Sequence, residues 1–422
     1  MNPFILIIYN IFLLIYRAAI RCAALFTEKA GQWISGRKDW PSNMASHLRP
    51  GEKRIWIHCA SLGEFEQGRP LIESLREKYP GYGILLTFFS PSGYEVRKNY
   101  PGADYVYYLP LDGWSNARRF IALVNPALVI FVKYEFWYYY LRILREHRVP
   151  TLLISAAFRR EQAFFRWYGA FFRQLLGCFT WIFVQDQNSA ALLAQIGLDR
   201  RVSLAGDTRY DRVLSIAAER KPLAVAAQFR DNAKVLIAGS TWPGDEQILQ
   251  DAFPRLPADW KMIIAPHETD PGHIGAIQAL FKRQHVLYSE LAAGRGDAGS
   301  RVLIIDNIGL LSALFAYGDI AYIGGGFQPG GIHNVLEPAV FGLPVLFGPT
   351  YRKFVEAVQL VNLKFAFPVH NSTETSQVLG RLISEDLLRK QIREGLGAFM
   401  GQQAGSTRRI MQCIANQGWL KD

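Results

Sequence analysis

The sequence predicts an α/β protein of two doubly wound domains, each a parallel sheet covered on both faces, behind an apolar N-terminal helix. Three observations carry this expectation. The chain has 422 residues, more than one ordinary core accommodates and enough for two domains of roughly 150–200 residues each. Half of the residues are hydrophobic, so large cores can form and disorder is excluded. Short apolar runs alternate with helical stretches, and this pattern occurs twice with a polar, Ala-rich break between. Strands that are apolar throughout and separated by helices belong to parallel sheets buried on both sides.

The first element is "FILIIYNIFLLIYRAAIRCAALF", from Phe4 to Phe26, with no charge before Arg17. A secretory signal places its positive charge ahead of the apolar run. Here Arg17, Arg21, Lys29, Arg37 and Lys38 follow it. The positive-inside rule then keeps everything after the run in the cytoplasm. The expectation is an uncleaved membrane anchor over residues 1–30, spanning the bilayer or lying in its interface. Next come "RIWIHCAS", "YGILLTFFS", "ALVIFVKYEF", "TLLISAAF" and "WIFVQD" as strands, separated by helices, within a first domain over residues 40–212. Residues 213–232 form the linker. The pattern restarts with "KVLIAGS", "KMIIAP", "HVLYSE", "RVLIIDN", "IAYIGGG" and "PVLFGP", giving a second domain over 233–400 and a helical tail over 401–422. In such sheets ligands bind beyond the carboxyl ends of the strands, so a shared site is expected in the cleft between the two domains.

Lys and Arg outnumber Asp and Glu, 47 to 36, for a net charge of +11. That excess points to anionic partners: phosphorylated ligands, an anionic membrane face or nucleic acid. The four cysteines, Cys22, Cys59, Cys178 and Cys413, are scattered without a CxxC pair, which speaks against a disulfide framework or a zinc site. No metal site is expected.

The strand ends carry the chemistry. "AGSTWPGDEQ" follows a strand and opens a helix, so Gly239, Ser240 and Thr241 are read as a turn offering hydroxyls and free N–H groups to an anion. Ordinary helix capping explains the same residues. "APHE" places His267 and Glu268 on the same rim. "GGGFQPGGIHNVLEPAVFGLPVLFGP" is punctuated by glycine and proline around one His, one Asn and one Glu. Gly324, Gly325 and Gly326 let backbone approach a ligand closely. "IHNVLEPAVFG" reads as a helix whose first turn carries His333 and Asn334 as a second anion seat. Glu337 lies one turn on, at i+4 from His333 and i+3 from Asn334, on the same face. A carboxylate there can accept from a ribose diol. In the first half, "HCASLGEFEQGRP" makes a turn of Ser61, Leu62 and Gly63, with Glu64 at a helix start. The helix dipole should keep Glu64 ionised, fit to act as a general base on a hydroxyl; a dipole-satisfying Glu is the plain alternative. Glu135, in "KYEFWYYY", is a second carboxylate on that rim. "FRREQAFFRWYGAFFRQ", residues 158–174, mixes Arg with aromatics along a predicted helix and suits a membrane interface.

Together, "SLGEFEQGRPLIE", "GSTWPGDE" and "GGGFQPGGIHNVLEPAVFGLPVLFGP" closely resemble the 3-deoxy-D-manno-octulosonic acid (Kdo) transferases of lipopolysaccharide synthesis, in the right order and over most of the chain. The resemblance implies the GT-B fold, two Rossmann-like domains facing a cleft, and an inverting transfer from CMP-Kdo to a lipid A precursor at the cytoplasmic side of the inner membrane. It implies Glu64 as base, Glu135 with Ser61 and Gly63 on the acceptor side, and His333, Asn334 and Glu337 at the CMP site. Gly239, Ser240, Thr241, His267, Gly325 and Gly326 then line the donor side. It implies no cofactor and no nucleic acid. The chain departs from the family at Lys133, where a Glu is common, at Ile332, where a Gly precedes the His, and in "APHE", which lacks an Arg often seen there. Two other functions fit the residues less fully: a GT-B enzyme using a UDP-sugar, and a membrane scaffold of the same fold without catalysis.

Overall fold

A computed structural model describes residues 3–297 and 299–421. The chain divides into two compact units. The first holds residues 1–212 and 404–422, the second residues 213–403. Each is built on one seven-stranded, all-parallel sheet.

The first sheet comprises β1 (Arg54–Cys59), β2 (Gly83–Phe88), β3 (Tyr105–Tyr108), β4 (Pro126–Val132), β5 (Thr151–Ala156), β6 (Trp181–Val184) and β7 (Val202–Leu204). Their order across the sheet is β3-β2-β1-β4-β5-β6-β7. Every residue of β1 and β2 is buried, because side chains alternate between two covered faces. Trp56, Val129 and Phe131 pack on one side; Ile55, Ile57, Leu128 and Ile130 pack on the other. The helix Ser406–Asn416 returns to this unit and adds Ile410 and Ile414 to the second face. Its start is fixed by Asp211, which accepts from the Gly405 and Thr407 N–H groups at 2.6 Å each.

The second sheet comprises β8 (Lys234–Thr241), β9 (Trp260–Pro266), β10 (His285–Leu287), β11 (Val302–Ile304), β12 (Ile320–Ile323), β13 (Val345–Phe347) and β14 (Ala366–Pro368), in the order β10-β11-β9-β8-β12-β13-β14. Residues 213–232, expected as a linker, continue the helix Thr208–Glu219 and carry another, Ala224–Arg230.

In both sheets the chain builds one side first, with β10 placed outside β11 in the second, then returns to the middle and winds to the other. The direction reverses between β1 and β4 in the first sheet and between β8 and β12 in the second. At such a switch point the loops diverge to opposite faces and leave a crevice beyond the strand ends.

The N-terminal helix α1 (Pro3–Ala23) docks one stripe on the first unit. The Tyr9 hydroxyl donates to Asp112 at 2.6 Å, the Tyr139 hydroxyl donates to Asn10 at 2.8 Å, and Leu13 is buried. Ile8, Phe12, Leu14 and Ile15 stay exposed on the remainder. The segment Phe4–Ala23 has a mean hydropathy of 1.8 and is long and apolar enough to cross a membrane. Residues 158–174 do not form the single helix expected of them. They make a 3₁₀ turn at Ala163–Phe165 and a helix only from Ala170. Gly169 intervenes, where a β-carbon would lie 2.0 Å from the Ala163 carbonyl. Trp167 and Tyr168 are left exposed.

Candidate functional site

The switch point of the first sheet holds two carboxylates. Ser61 caps the helix Leu62–Lys78, and Glu64 lies in its first turn. One Glu64 oxygen accepts from the Ala60 N–H at 2.5 Å and the Ser61 N–H at 3.1 Å. The helix start therefore folds back on the end of β1 and fixes the carboxylate there. Gly63, exposed in the first turn, has open space where a side chain would stand. Glu135 follows β4, the strand beside β1, and is buried. Its Oε2 accepts from the Trp137 indole at 2.5 Å and lies 3.0 Å from His58 Nε2. His58 is wholly buried near the end of β1, with Nδ1 2.9 Å from the Thr87 hydroxyl, and that hydroxyl accepts from the Trp56 indole at 2.8 Å.

Glu64 is not held ionised by the helix start as expected. Burial, and then the nearby Glu135 charge, push its carboxyl up to about 7, outweighing the two backbone donors and Lys133. Desolvation and a like charge both disfavour the carboxylate, and the terminal dipole alone is the weaker effect.

The switch point of the second sheet brings together most of the residues expected there. Gly239, Ser240 and Thr241 are the last residues of β8, and the following helix starts at Pro243. They are thus a strand end and not a helix turn. Thr241 is fully buried and its hydroxyl donates to Glu246 at 2.8 Å, so it faces inward. Ser240 sits half-buried in the left-handed region, with φ 54°. Trp242 next to it stacks on His267 at a centroid distance of 4.8 Å, and His267 stacks on His333 at 4.5 Å. The Trp242 indole donates to His333 Nε2 at 3.1 Å. Burial and the adjacent His267 bring His333 down to about 4. Because an indole nitrogen only donates, His333 is the neutral ring protonated at Nδ1.

The loop after β12 is held by Asp245, which accepts from the Gly325 N–H at 2.9 Å and the Tyr322 hydroxyl at 2.8 Å. The expected long helix does not begin at His333. It spans Leu336–Ala339 alone, since Pro338 removes a donor and glycine follows at 342. Glu337 still meets Asn334, whose amide donates at 3.0 Å, and its second oxygen accepts from Ser312 at 2.6 Å. The glycines serve the chain's own packing. A β-carbon on Gly324 would lie 2.2 Å from the Ser240 carbonyl, and one on Gly326 2.4 Å from the Gly348 nitrogen. Gly325, at φ 87°, needs glycine for its backbone alone. The sequence alone does not single out His58, Thr87, Trp137, Trp242, Asp245 or Ser312. The available signal at His58 was one polar residue inside the otherwise apolar run "IWIHC".

A sequence model of the 3-deoxy-D-manno-octulosonic-acid transferase (kdotransferase) family matches residues 35–212. A 3-deoxy-D-manno-octulosonic acid transferase of Haemophilus influenzae is 27% identical over 86% of this chain and 87% of its own length. One from Aquifex aeolicus is 28% identical over 82% of this chain and 91% of its own. The chain is thus similar to Kdo transferases over most of its length. These relatives are glycosyltransferases, and so is this chain. Its fold is that of the GT-B class. A UDP-GlcNAc 2-epimerase from Neisseria meningitidis superposes with a TM-score of 0.59 at 17% identity, over 86% of this chain and all of that one.

Proposed function

We propose that this glycosyltransferase takes Kdo from CMP-Kdo and delivers it to a hydroxyl of a lipid A precursor, with inversion. Glu64 carries the reading. It is a carboxyl fixed by two backbone donors, beside a second carboxylate, with its proton affinity brought to about 7, where a general base serves best at neutral pH.

In this reading Glu64 takes the proton of the acceptor hydroxyl. The hydroxyl oxygen bonds to the anomeric carbon of Kdo from one face. The bond from that carbon to the phosphate oxygen breaks on the other, and CMP leaves with the electron pair. Direct displacement from the opposite face is what inverts the centre. In the second unit, Glu337, steadied by Asn334 and Ser312, accepts from the cytidine ribose. His333 donates its Nδ1–H to the phosphate, with Ser240 beside it. Preorganised donors of this kind stabilise charge as it develops on the leaving group. His267 packs against His333 and supports its orientation. The acceptor is an amphiphile, and the exposed apolar face of α1 would hold the enzyme on the cytoplasmic face of the inner membrane.

The test is a transfer assay with detergent-purified protein, freshly generated CMP-Kdo and tetra-acylated lipid A precursor, read by mass spectrometry. A gain of one or more Kdo masses is expected, together with its loss in a Glu64→Ala protein whose circular-dichroism spectrum shows it folded. Transfer by Glu64→Ala at the wild-type rate would overturn the base assignment. A folded wild type that leaves CMP-Kdo intact would overturn the donor.

A further inference from the structure

We propose that His58 is a positioning residue for the transfer: it holds the buried Glu135 charged and fixed, and Glu135 in turn governs how readily its neighbour Glu64 takes up a proton. This rests on Glu64 as the base.

The hydrogen bonds around His58 link Glu135 to Thr87, whose hydroxyl also reaches the Ile57 carbonyl at 3.4 Å. Nε2 meets Glu135 at 3.0 Å. Nδ1 meets the hydroxyl of Thr87 at 2.9 Å and its carbonyl at 3.2 Å. A neutral imidazole has one donor and one acceptor. The ring satisfies Glu135 either as an imidazolium with a donor on each side, or as the Nε2–H form with Nδ1 accepting from the Thr87 hydroxyl. In both states Glu135 receives a donor from His58 besides the Trp137 indole. A buried carboxylate that loses its donors takes up a proton instead. His58 therefore decides whether the like charge beside Glu64 persists. Packing alone does not ask for histidine, because its edge contact with Phe131, at 5.7 Å between centroids, would suit any aromatic ring.

The other titratable groups that face the pair are Lys133 and Tyr134 after β4, Cys59 of β1 and Tyr16 of α1. Of these only Lys133 is a cation, and it opposes Glu135 at Glu64. Removing the Glu135 charge thus removes one of the two causes that raise Glu64, burial being the larger, and makes Glu64 a weaker base that ionises at lower pH.

The experiment is the pH dependence of kcat/KM for the full-length enzyme, whose acidic limb reports ionisation of the base in the free protein. Glu135→Gln should move the limb down by about one pH unit. His58→Phe should move it the same way by a similar amount, and His58→Phe/Glu135→Gln should move it no further. His58→Gln, which keeps a donor facing Glu135, should bring the limb back toward wild type. A His58→Phe enzyme slowed by one factor at every pH, with its limb unmoved, overturns the proposal. If that variant does not fold, Glu135→Gln is compared with Glu135→Gln/His58→Gln, and any added shift overturns it. An active Glu64→Ala would instead remove the base reading itself, so the two failures are distinguishable.

Discussion

Glu64 is a residue whose chemistry opposes its own burial. Its folded-state value of about 7 lies above the ordinary 4.5, so between about 4.5 and 7 the folded protein holds a proton that the unfolded chain has released. The folded state binds more protons in that window, and stability from this group falls as pH rises through it, then levels off above 7. Glu64→Gln cannot ionise and should escape the loss. Urea unfolding should find it more stable than wild type by on the order of 1–2 kcal/mol at about pH 8, with the difference gone below about pH 4.5. A variant no more stable at high pH would show that Glu64 is solvated in the folded state. His333 works in the opposite sense. The unfolded ring takes a proton near 6.5 and the folded ring resists until about 4, so its contribution is lost as pH falls through that window. Trp242→Phe removes the donor that occupies Nε2. In ¹⁵N NMR at neutral pH the wild-type ring should carry its proton on Nδ1, and the Nε2 resonance should shift when this donor is lost. A wild-type ring protonated at Nε2 would refute the tautomer.

At the scale of elements, the strands were legible and the helix starts were not. A run such as "RIWIHC" is apolar on both faces, which only a doubly covered strand requires, and β1 forms there. "GSTWPGDE" reads equally as a turn or a strand end, because Ser and Thr suit both. The structure extends β8 through Thr241, and Trp242 caps the helix after it. Four residues of helix at Leu336–Ala339 replace a predicted eleven-residue one, since periodicity does not weigh the cost of an internal proline. The candidate site was legible where chemistry is local, as in Asn334 bonded to Glu337. The His58–Glu135 bond joins residues 77 positions apart, and no spacing in the sequence expresses it. The glycine-rich loop gives the sharpest test at this scale. Gly324→Ala and Gly326→Ala should each destabilise the second unit by about 1–3 kcal/mol or abolish its folding, because backbone occupies the added volume. Gly330→Ala, with nothing within 4 Å of the new atom, should change stability by less than about 0.5 kcal/mol. Equal effects at the three positions, in thermal or urea unfolding, would mean that the loop does not close on Ser240 and Gly348 as described.

For the whole molecule, the two sheets repeat one plan. Each reverses direction at its middle strands, and each puts its polar side chains beyond that reversal, the acidic pair after β1 and β4 and the His–Trp stack after β8, β9 and β12. Around this lie a net charge of +11 and an apolar helix that commits only one stripe to the protein. These features make separable demands on a membrane. Attraction of a basic protein to anionic lipid is screened as salt rises, whereas burial of apolar surface is not. Co-flotation with vesicles containing about 30% phosphatidylglycerol should therefore weaken from about 0.05 to 0.5 M salt but not vanish. The remaining binding belongs to the exposed stripe of α1. Replacing Ile8, Phe12 and Ile15, at relative exposures of 51, 56 and 63%, with glutamate should abolish it while the first unit melts unchanged, since Tyr9, Asn10 and Leu13 keep their contacts. Wild-type binding lost entirely at high salt would make the charge alone responsible and would leave that apolar face without a membrane role.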